Sequence, residues 1–201
     1  MTDQKRPYRK KRRAELEAQT RLRITESAVE LHGTVGPSRT SMSAVAEQAG
    51  VRRSTLYRHF PDEAALFAAC SSHWLAANPP PDLERWAAIE EPDERLSAAL
   101  EDLYAYYRRT ERMMDNNFRD EATMPIVKQT LGGFRGYMAA AHDVLMAGRR
   151  SRGRARGRVR AAIGHALAFP AWQSLAREQE LDDAQAADLM CRLVAAASKS
   201  G

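Results

Sequence analysis

The sequence lacks the long apolar segments that cross or enter a membrane. No run of eighteen apolar residues occurs along its 201 residues, so it predicts no transmembrane helix. The basic N-terminal stretch, MTDQKRPYRKKRR, is not followed by the apolar core of a secretory signal. We therefore expect a cytoplasmic protein without a membrane partner.

Cysteines and the common catalytic motifs are also scarce. The two cysteines, Cys70 and Cys191, lie far apart and form no redox or metal-binding motif, so we expect buried, free thiols. The G-x-S-x-G, phosphate-loop and dinucleotide-binding motifs are absent, and no two of the five histidines are spaced i, i+4. We therefore expect no catalytic site, no metal and no cofactor. A ligand-binding enzyme on a helical scaffold stays open as an alternative.

Strand-like alternation is missing as well, and apolar residues recur at helical spacing along most of the chain, which predicts an all-α fold. Prolines at positions 79 to 81 interrupt the pattern as a stiff connector. Residues 148–158 predict an exposed, arginine-rich loop, and Pro170 predicts a kink inside a helix. The predicted helices cover residues 14–33, 42–49, 53–59, 61–77, 82–89, 93–109, 110–121, 123–146, 159–177 and 182–198.

Residues 40–60 combine two short helical patterns with a tight turn, which predicts a helix-turn-helix. Ser41 can cap the first helix, because its hydroxyl accepts an orphan amide of the first turn. Gly50 ends that helix where a left-handed backbone is usual. Leu56 and Phe60 are the apolar anchors of the second helix. The apolar stripe of the first helix consists of Met42, Val45, Ala46 and Ala49.

The second of these helices is polar and basic and contains no acidic residue. The whole chain is divided in the same way: residues 1–60 hold 13 Lys/Arg against 6 Asp/Glu, whereas residues 61–201 hold 18 against 20. A basic end on an acidic body is typical of a protein that presents one end to nucleic acid. The alternative, an ordinary helical hairpin with a solvated face, would normally mix both signs of charge.

The stretch resembles the DNA-binding segment of the TetR family of transcriptional regulators. The resemblance spans about residues 20–67 and is carried by Gly36, Thr40, Ser41, Val45, Ala46, Ala49-Gly50-Val51 and Thr55-Leu56-Tyr57-Arg58-His59-Phe60. It implies an all-α protein, with an N-terminal three-helix helix-turn-helix head followed by a larger helical body for ligand binding and dimerisation. The implied domains are a basic arm (residues 1–13), a DNA-binding domain (14–60) and an effector-binding and dimerisation domain (61–201).

The resemblance also implies a sequence-specific regulator of double-stranded DNA, namely a repressor that a small-molecule effector releases from a palindromic operator. A homodimer would form through the last two helices, because a two-fold protein reads a palindrome. Alternatively, both helices pack within one chain. A non-specific or architectural nucleic-acid-binding protein, using the N-terminal tail and the arginines at 149–160, is the rival function.

The predicted DNA-binding residues fall into two groups. Arg53, Ser54 and Arg58 are candidates for base edges, since the arginine fork matches the acceptors of guanine. The phosphate candidates are Thr40, Arg52, Tyr57 and His59, and the set is completed by Ser41 and Thr55.

Two positions depart from the family pattern. Arg52 stands where relatives usually carry a serine or threonine cap, and Glu63 stands where a phosphate-binding lysine is common. Electrostatic anchoring should therefore move toward Arg52, Arg53 and residues 1–13. We expect that arm to be disordered in solution and to contact phosphates or a neighbouring minor groove on docking.

An effector site is predicted in the body from aromatic and methionine side chains that should converge there, since such walls suit a small apolar or amphipathic molecule. The alternative is that they fill an ordinary core. The candidates are Tyr104, Tyr107, Phe118, Phe134, Met138, His142, Phe169 and Trp172. His32 is predicted to be a hydrogen-bonded core residue.

Overall fold

The computed structural model describes residues 5–199, with side chains from residue 8 onward. Within this range the chain forms helices and contains no β-strand, which confirms the all-α prediction. The helices are α1 (Lys5–Thr34), α2 (Met42–Gln48), α3 (Arg53–His59), α4 (Glu63–Ala77), α5 (Leu83–Ala87), α6 (Pro92–Asp120), α7 (Pro125–Met146), α8 (Gly153–Ala166), α9 (Phe169–Gln173, continued by a π-helical turn over Ser174–Glu178) and α10 (Asp183–Ser198). In the described part of the chain, no helix is long and apolar enough to span a membrane.

The helices form two compact units. The first comprises Met1–Pro79 and Arg112–Thr130, and the second comprises Pro80–Glu111 and Leu131–Gly201. Helices α6 and α7 each contribute residues to both units. Helix α4 and the turn between α6 and α7 belong to the first unit, so the compact units do not divide at residue 60. The functional boundary at residue 60 stays a prediction.

The core of the first unit joins α1 to α4. Helix α1 packs against α2 and α4, and α2 packs against α3. The apolar stripe and the two anchors predicted from the sequence are all buried here. The cluster consists of Ile24, Ala28, Met42, Val45, Ala46, Ala49, Leu56, Phe60, Leu66 and Cys70.

The N-terminal arm is helical from Lys5 onward, so the prediction of disorder over residues 1–13 is wrong there; residues 1–4 lie outside the described residues. Lysine and arginine are good helix formers, and an existing helix extends at a gain of one hydrogen bond per residue. Pro7 stands in the first turn, where its missing N–H removes no bond within the helix. The extension presents exposed basic side chains from Arg9 to Arg13.

A buried arginine organises the second unit. Arg95 is 6% exposed, and its guanidinium donates to four backbone carbonyls, those of Ile89, Glu90, Val144 and Ala147, at 2.8 to 3.0 Å. Two of these acceptors, the carbonyls of Val144 and Ala147, lie at the C-terminal end of α7. Arg95 thereby joins the start of α6 to the end of α7.

Two predicted helix boundaries are wrong. Residues 93–120 lie in one helix, α6, rather than in two, because the hydroxyl of Thr110 donates to the Tyr106 carbonyl of the same helix (2.6 Å) instead of capping a new one. Helix α4 begins at Glu63 rather than Pro61, because the carboxylate of Asp62 accepts the amide of Ala65 at 2.7 Å and caps the helix.

The segment predicted as a loop over residues 148–158 is helical from Gly153, where α8 begins. Arginine and alanine favour helix, and Val159 anchors this part of α8 in the core, so these gains outweigh the cost of its glycines. Arg149 is not exposed either. Its side chain is 8% accessible, and its guanidinium pairs with Asp93 at 2.8 Å and donates to the Pro92 and Leu145 carbonyls.

Pro170 interrupts the helix predicted over residues 159–177. Helix α8 ends at Ala166, and Pro170 takes the second position of α9, so the predicted kink is a full break. The Ala166 carbonyl, which an amide at position 170 would otherwise bond, accepts the hydroxyl of Tyr104 at 2.9 Å. The Leu167 carbonyl accepts the hydroxyl of Tyr107 at 2.6 Å.

Candidate nucleic-acid interface

Helices α2 and α3 are joined by a turn that the sequence specifies closely. The Ser41 hydroxyl accepts the amide of Ala44 at 3.1 Å, which confirms the predicted cap. Gly50 has a φ of 63°, the left-handed conformation predicted for it. The amide of Val51 then donates to the Ala46 carbonyl at 2.9 Å and closes the turn. This closed turn fixes the position at which α3 begins.

Helix α3 divides cleanly into a buried and an exposed face. Leu56 is fully buried, whereas Arg53, Ser54, Tyr57 and Arg58 are exposed. The Arg53 guanidinium lies 5.8 Å from the centre of the Tyr57 ring, and its Nη2 is 3.5 Å from the tyrosine hydroxyl. The exposed face therefore offers two guanidiniums and two hydroxyls, all hydrogen-bond donors, and no carboxylate.

The N-terminal end of α3 carries Arg52 at the cap position without a side-chain cap bond, as predicted from the departure at this residue. The backbone amides of the first turn of α3 therefore have no side-chain acceptor from the cap residue. Thr55 is half-buried. Two other predicted contacts are engaged within the chain: the Ser41 hydroxyl in its cap, and the Thr40 hydroxyl, which donates to the Gly36 carbonyl at 2.8 Å.

The C-terminal end of α3 is held by Arg21, which sequence reasoning missed. Its Nη1 donates to the His59 carbonyl at 2.6 Å, and its guanidinium lies 4.1 Å from the centre of the Phe60 ring. An arginine on the polar side of α1 has no local signal for this role, because the partner is 38 residues away. Arg21 satisfies an orphan carbonyl and complements the negative end of the helix.

His59 was predicted to contact phosphate, and its imidazole is half-enclosed. Its Nε2 is buried and has no hydrogen-bond partner within the described residues. Burial lowers the pKa of His59, and the charges of Arg58 and Arg21 lower it further against the opposing effect of Glu17. The neutral imidazole is therefore favoured in the free protein, and its phosphate role stays a prediction.

Most of the predicted effector residues lie in the second unit, where four aromatic rings form one cluster. The Tyr107 ring lies 5.3 Å from that of Phe169 and 5.7 Å from that of Trp172, and the Tyr104 ring lies 6.4 Å from that of Tyr107. All four side chains are buried. In this conformation the rings contact one another, so a ligand would enter here only if they moved apart.

The remaining effector candidates are partly exposed and more scattered. Met138 places its sulfur 3.9 Å from the Tyr107 hydroxyl, and His142 Nε2 is 2.9 Å from the Arg160 carbonyl. Phe134 stacks on Tyr137 at 6.3 Å. Phe118 belongs to the first compact unit, and the other seven belong to the second. The effector assignment of the eight stays a prediction.

Two clefts of the second unit are lined by other residues. One, of about 820 Å³, lies beside Glu90, Asp93, Arg149 and Ser151; the other, of about 600 Å³, lies beside Arg108 and Asp183. Neither is lined by any of the eight predicted effector residues. Among the described residues, no group of three His, Cys, Asp or Glu side chains is placed to hold a metal ion.

A capped α2, a glycine turn and an exposed basic α3 define a helix-turn-helix DNA-binding protein. Residues 24–70 match the family model described as bacterial regulatory proteins, tetR family. The match lies over the helix-turn-helix, where the motif residues indicate a resemblance to the TetR family of transcriptional regulators. A comparison with curated proteins gave no match.

Solved structures with the same fold cover nearly the whole chain. A TetR-like transcriptional regulator from Rhodococcus sp. RHA1 is 20% identical, with a TM-score of 0.62, over 87% of this chain and 93% of its own. FadR from Bacillus subtilis, in complex with stearoyl-CoA, is 16% identical (TM-score 0.57; 86% and 96%). NalD, the secondary repressor of the MexAB-OprM multidrug efflux pump in Pseudomonas aeruginosa, is 18% identical (TM-score 0.58; 91% and 97%).

Proposed function

We propose that this regulator is a homodimeric repressor that binds a palindromic operator through α3 and leaves it when an effector binds the helical body. The observation that carries the proposal is the exposed face of α3, on which every polar side chain is a donor and none is acidic. A face of this kind fits the acceptor-rich major groove and its phosphates.

In this proposal Arg53, Ser54 and Arg58 read base edges, because they lie on the exposed face of α3. Tyr57 and Arg52 contact phosphate. Tyr57 is exposed beside Arg53, and Arg52 stands at the start of α3, next to backbone amides that its side chain does not cap. Residues 14–60 act as the DNA-binding domain, and residues 61–201 carry effector binding and dimerisation.

The proposed dimer uses α8 and α10, which pack along each other. Their buried residues, including Ile163, Ala166 and Val194, pack within the chain. Leu189 and Leu193 on α10 nevertheless remain 37% and 49% exposed, one helical turn apart. Two leucines exposed on one face support a contact with the second copy.

The repressor role and the effector are supported by analogy with relatives of the same fold. The NalD structure is that of a repressor, and the FadR structure holds stearoyl-CoA. The aromatic cluster around Tyr107 and Trp172 supplies an apolar wall that would suit an acyl chain or another apolar group once opened. Stearoyl-CoA is therefore a sensible first probe.

A footprint on the DNA that flanks the protein's own gene tests the proposal. We expect a protected, two-fold symmetric site whose half-sites are about one helical turn apart or a small multiple of that distance. Added stearoyl-CoA, or another acyl or apolar compound, should weaken the protection. Equal binding to the flanking DNA and to random duplex would instead favour the non-specific nucleic-acid-binding alternative.

A further inference from the structure

One turn of α6 makes a dense set of polar contacts with the turn between α1 and α2. Asn116 is 5% exposed, and its Nδ2 donates to the His32 carbonyl at 2.9 Å and to the Gly33 carbonyl at 3.0 Å. Both carbonyls lie in the last turn of α1, where they have few helical partners. An amide on α6 thus caps the end of α1.

Arg119 extends this contact to the next residues of the turn. Its Nη2 donates to the Val35 carbonyl at 3.1 Å, and its Nη1 donates to the Asn116 side-chain oxygen at 2.7 Å. The guanidinium also pairs with the neighbouring carboxylate of Asp120 at 2.9 Å. The three side chains therefore form one connected network on α6.

Asp120 closes the network on the side of α2. It is 3% exposed, and its Oδ2 accepts the backbone amide of Ser38 at 2.9 Å. Burial alone would raise the pKa of this carboxyl, but the hydrogen bonds from Arg119 and Ser38 outweigh that effect and lower the pKa. The carboxylate is held charged against the 3₁₀ turn Pro37–Arg39.

The close approach explains the glycine at position 36. Gly36 has a φ of 97°, and a Cβ built on it would lie 2.0 Å from Arg119 Nη2 and 2.7 Å from Asp120 Oδ2. Its carbonyl in turn accepts the hydroxyl of Thr40, the residue just before the cap of α2. The network on α6 is therefore linked through Gly36 to Thr40, a predicted DNA contact.

We infer that Asn116, Arg119 and Asp120 are positioning residues for DNA binding, a latch by which α6 fixes the turn that places Thr40 and α2. The inference rests on the proposed DNA-binding function of the head. None of the three side chains needs to touch DNA.

The test compares three latch variants with a matched control. Asn116→Asp keeps the size of the side chain but turns its donors into acceptors that face two carbonyls. Asp120→Ala removes the acceptor of the Ser38 amide, whereas Asp120→Asn keeps an acceptor. Asn117→Ala is the control, since the Asn117 side chain makes no hydrogen bond within the described residues. Affinity is measured on a duplex that the unmodified protein enriches from a random pool.

We expect Asn116→Asp and Asp120→Ala to weaken binding about tenfold, the factor that corresponds to about 1.4 kcal/mol. Asp120→Asn should recover most of the affinity, and Asn117→Ala should bind as the unmodified protein does. Thermal unfolding of each variant identifies losses that come from misfolding alone. Unchanged affinity in a folded Asn116→Asp variant would overturn the inference.

Amide hydrogen exchange gives a second measurement that needs no DNA. In Asp120→Ala the Ser38 amide should exchange faster, while the Val45 amide, bonded within the head to the Ser41 carbonyl, should not change. An unaltered Ser38 amide would contradict the latch. If the unmodified protein enriches no sequence at all, the proposed function fails, and the Ser38 amide then decides the latch by itself.

Discussion

His32 is a histidine enclosed by apolar and sulfur-containing neighbours. It is 8% exposed, its Nδ1 lies 3.4 Å from the sulfur of Cys70, and its ring lies 5.2 Å from that of Phe67. Burial lowers its pKa to about 4, against the opposing charge of Asp120. Burial also raises the pKa of the Cys70 thiol to about 11, so the pair is neutral near pH 7. This confirms the core role predicted for His32.

The depressed pKa of His32 makes stability depend on pH. Between about pH 4 and pH 6.5 the unfolded chain binds a proton that the folded chain does not, so the free energy of unfolding falls as pH drops through this window. The loss should approach about 3 kcal/mol at its lower end, since one pKa unit corresponds to about 1.4 kcal/mol.

His32→Phe should remove this pH dependence, and denaturant unfolding at pH 4, 5, 6 and 7 measures it. The exposed histidine His165, changed to glutamine, controls for the loss of one imidazole. An equal pH slope in His32→Phe and in the unmodified protein would show that His32 is not the group responsible.

Tyr57 tests whether a residue of α3 contacts phosphate, which positions the helix, or a base edge, which reads the sequence. It is 41% exposed and lies beside Arg53. If its hydroxyl contacts phosphate, Tyr57→Phe should weaken binding to specific and to random duplex by a similar factor, corresponding to roughly 1 kcal/mol. Arg58→Ala is the contrasting variant, because removal of a base-reading side chain lowers affinity mainly for the specific site. A Tyr57→Phe effect confined to specific DNA would assign this residue to base readout.

At the scale of elements, the break at Pro170 is stabilised by two tyrosine hydroxyls. The proline leaves the Ala166 carbonyl without its helical donor, and Tyr104 and Tyr107 from α6 donate to the carbonyls of Ala166 and Leu167. Because both tyrosine rings are fully buried, no water is available there to bond either carbonyl in place of the tyrosine hydroxyl. The two tyrosines therefore have a structural role in addition to any predicted ligand contact.

Tyr107→Phe should lower the free energy of unfolding by about 1 to 3 kcal/mol, because it leaves a buried carbonyl unpaired. Tyr106→Phe is the matched control: this neighbouring ring is also buried, but its hydroxyl makes no hydrogen bond within the described residues. Denaturant unfolding of both variants gives the comparison. Equal effects of the two substitutions would mean that the Leu167 bond contributes little.

The sequence predicts elements well where the determinants are local. Ser41, Gly50 and the stripe from Met42 to Ala49 define α2 and its turn, since caps, left-handed glycines and apolar spacing act within a few residues. Arg21, Asn116 and Asp120 could not be predicted, because their partners lie 38 to 84 residues away. The predictions for residues 5–13 and for the start of α8 are wrong, because high helix propensity outweighs the lack of an apolar stripe there.

At the scale of the whole molecule, basic charge is concentrated in two places. The start of α1 presents Arg9, Lys10, Lys11 and Arg12 on exposed side chains of a continuous helix. The segment around the start of α8 presents Arg150, Arg152, Arg154 and Arg156, also exposed. The proposed repressor uses the first group as an extension of the DNA-binding head, whereas the non-specific alternative draws on both.

Replacing each group of four by glutamine separates these two functions. If the α1 group neutralises phosphates, its replacement should flatten the dependence of log affinity on log salt, by about 0.9 for each phosphate that is no longer neutralised. Glutamine keeps the helix, so a flatter slope would report charge rather than unfolding.

The same replacement in the α8 group should leave the slope unchanged. Fluorescence anisotropy of a labelled duplex between about 50 and 200 mM salt measures both. A slope that falls only with the α8 group would place the nucleic-acid contact on the body and favour the architectural alternative.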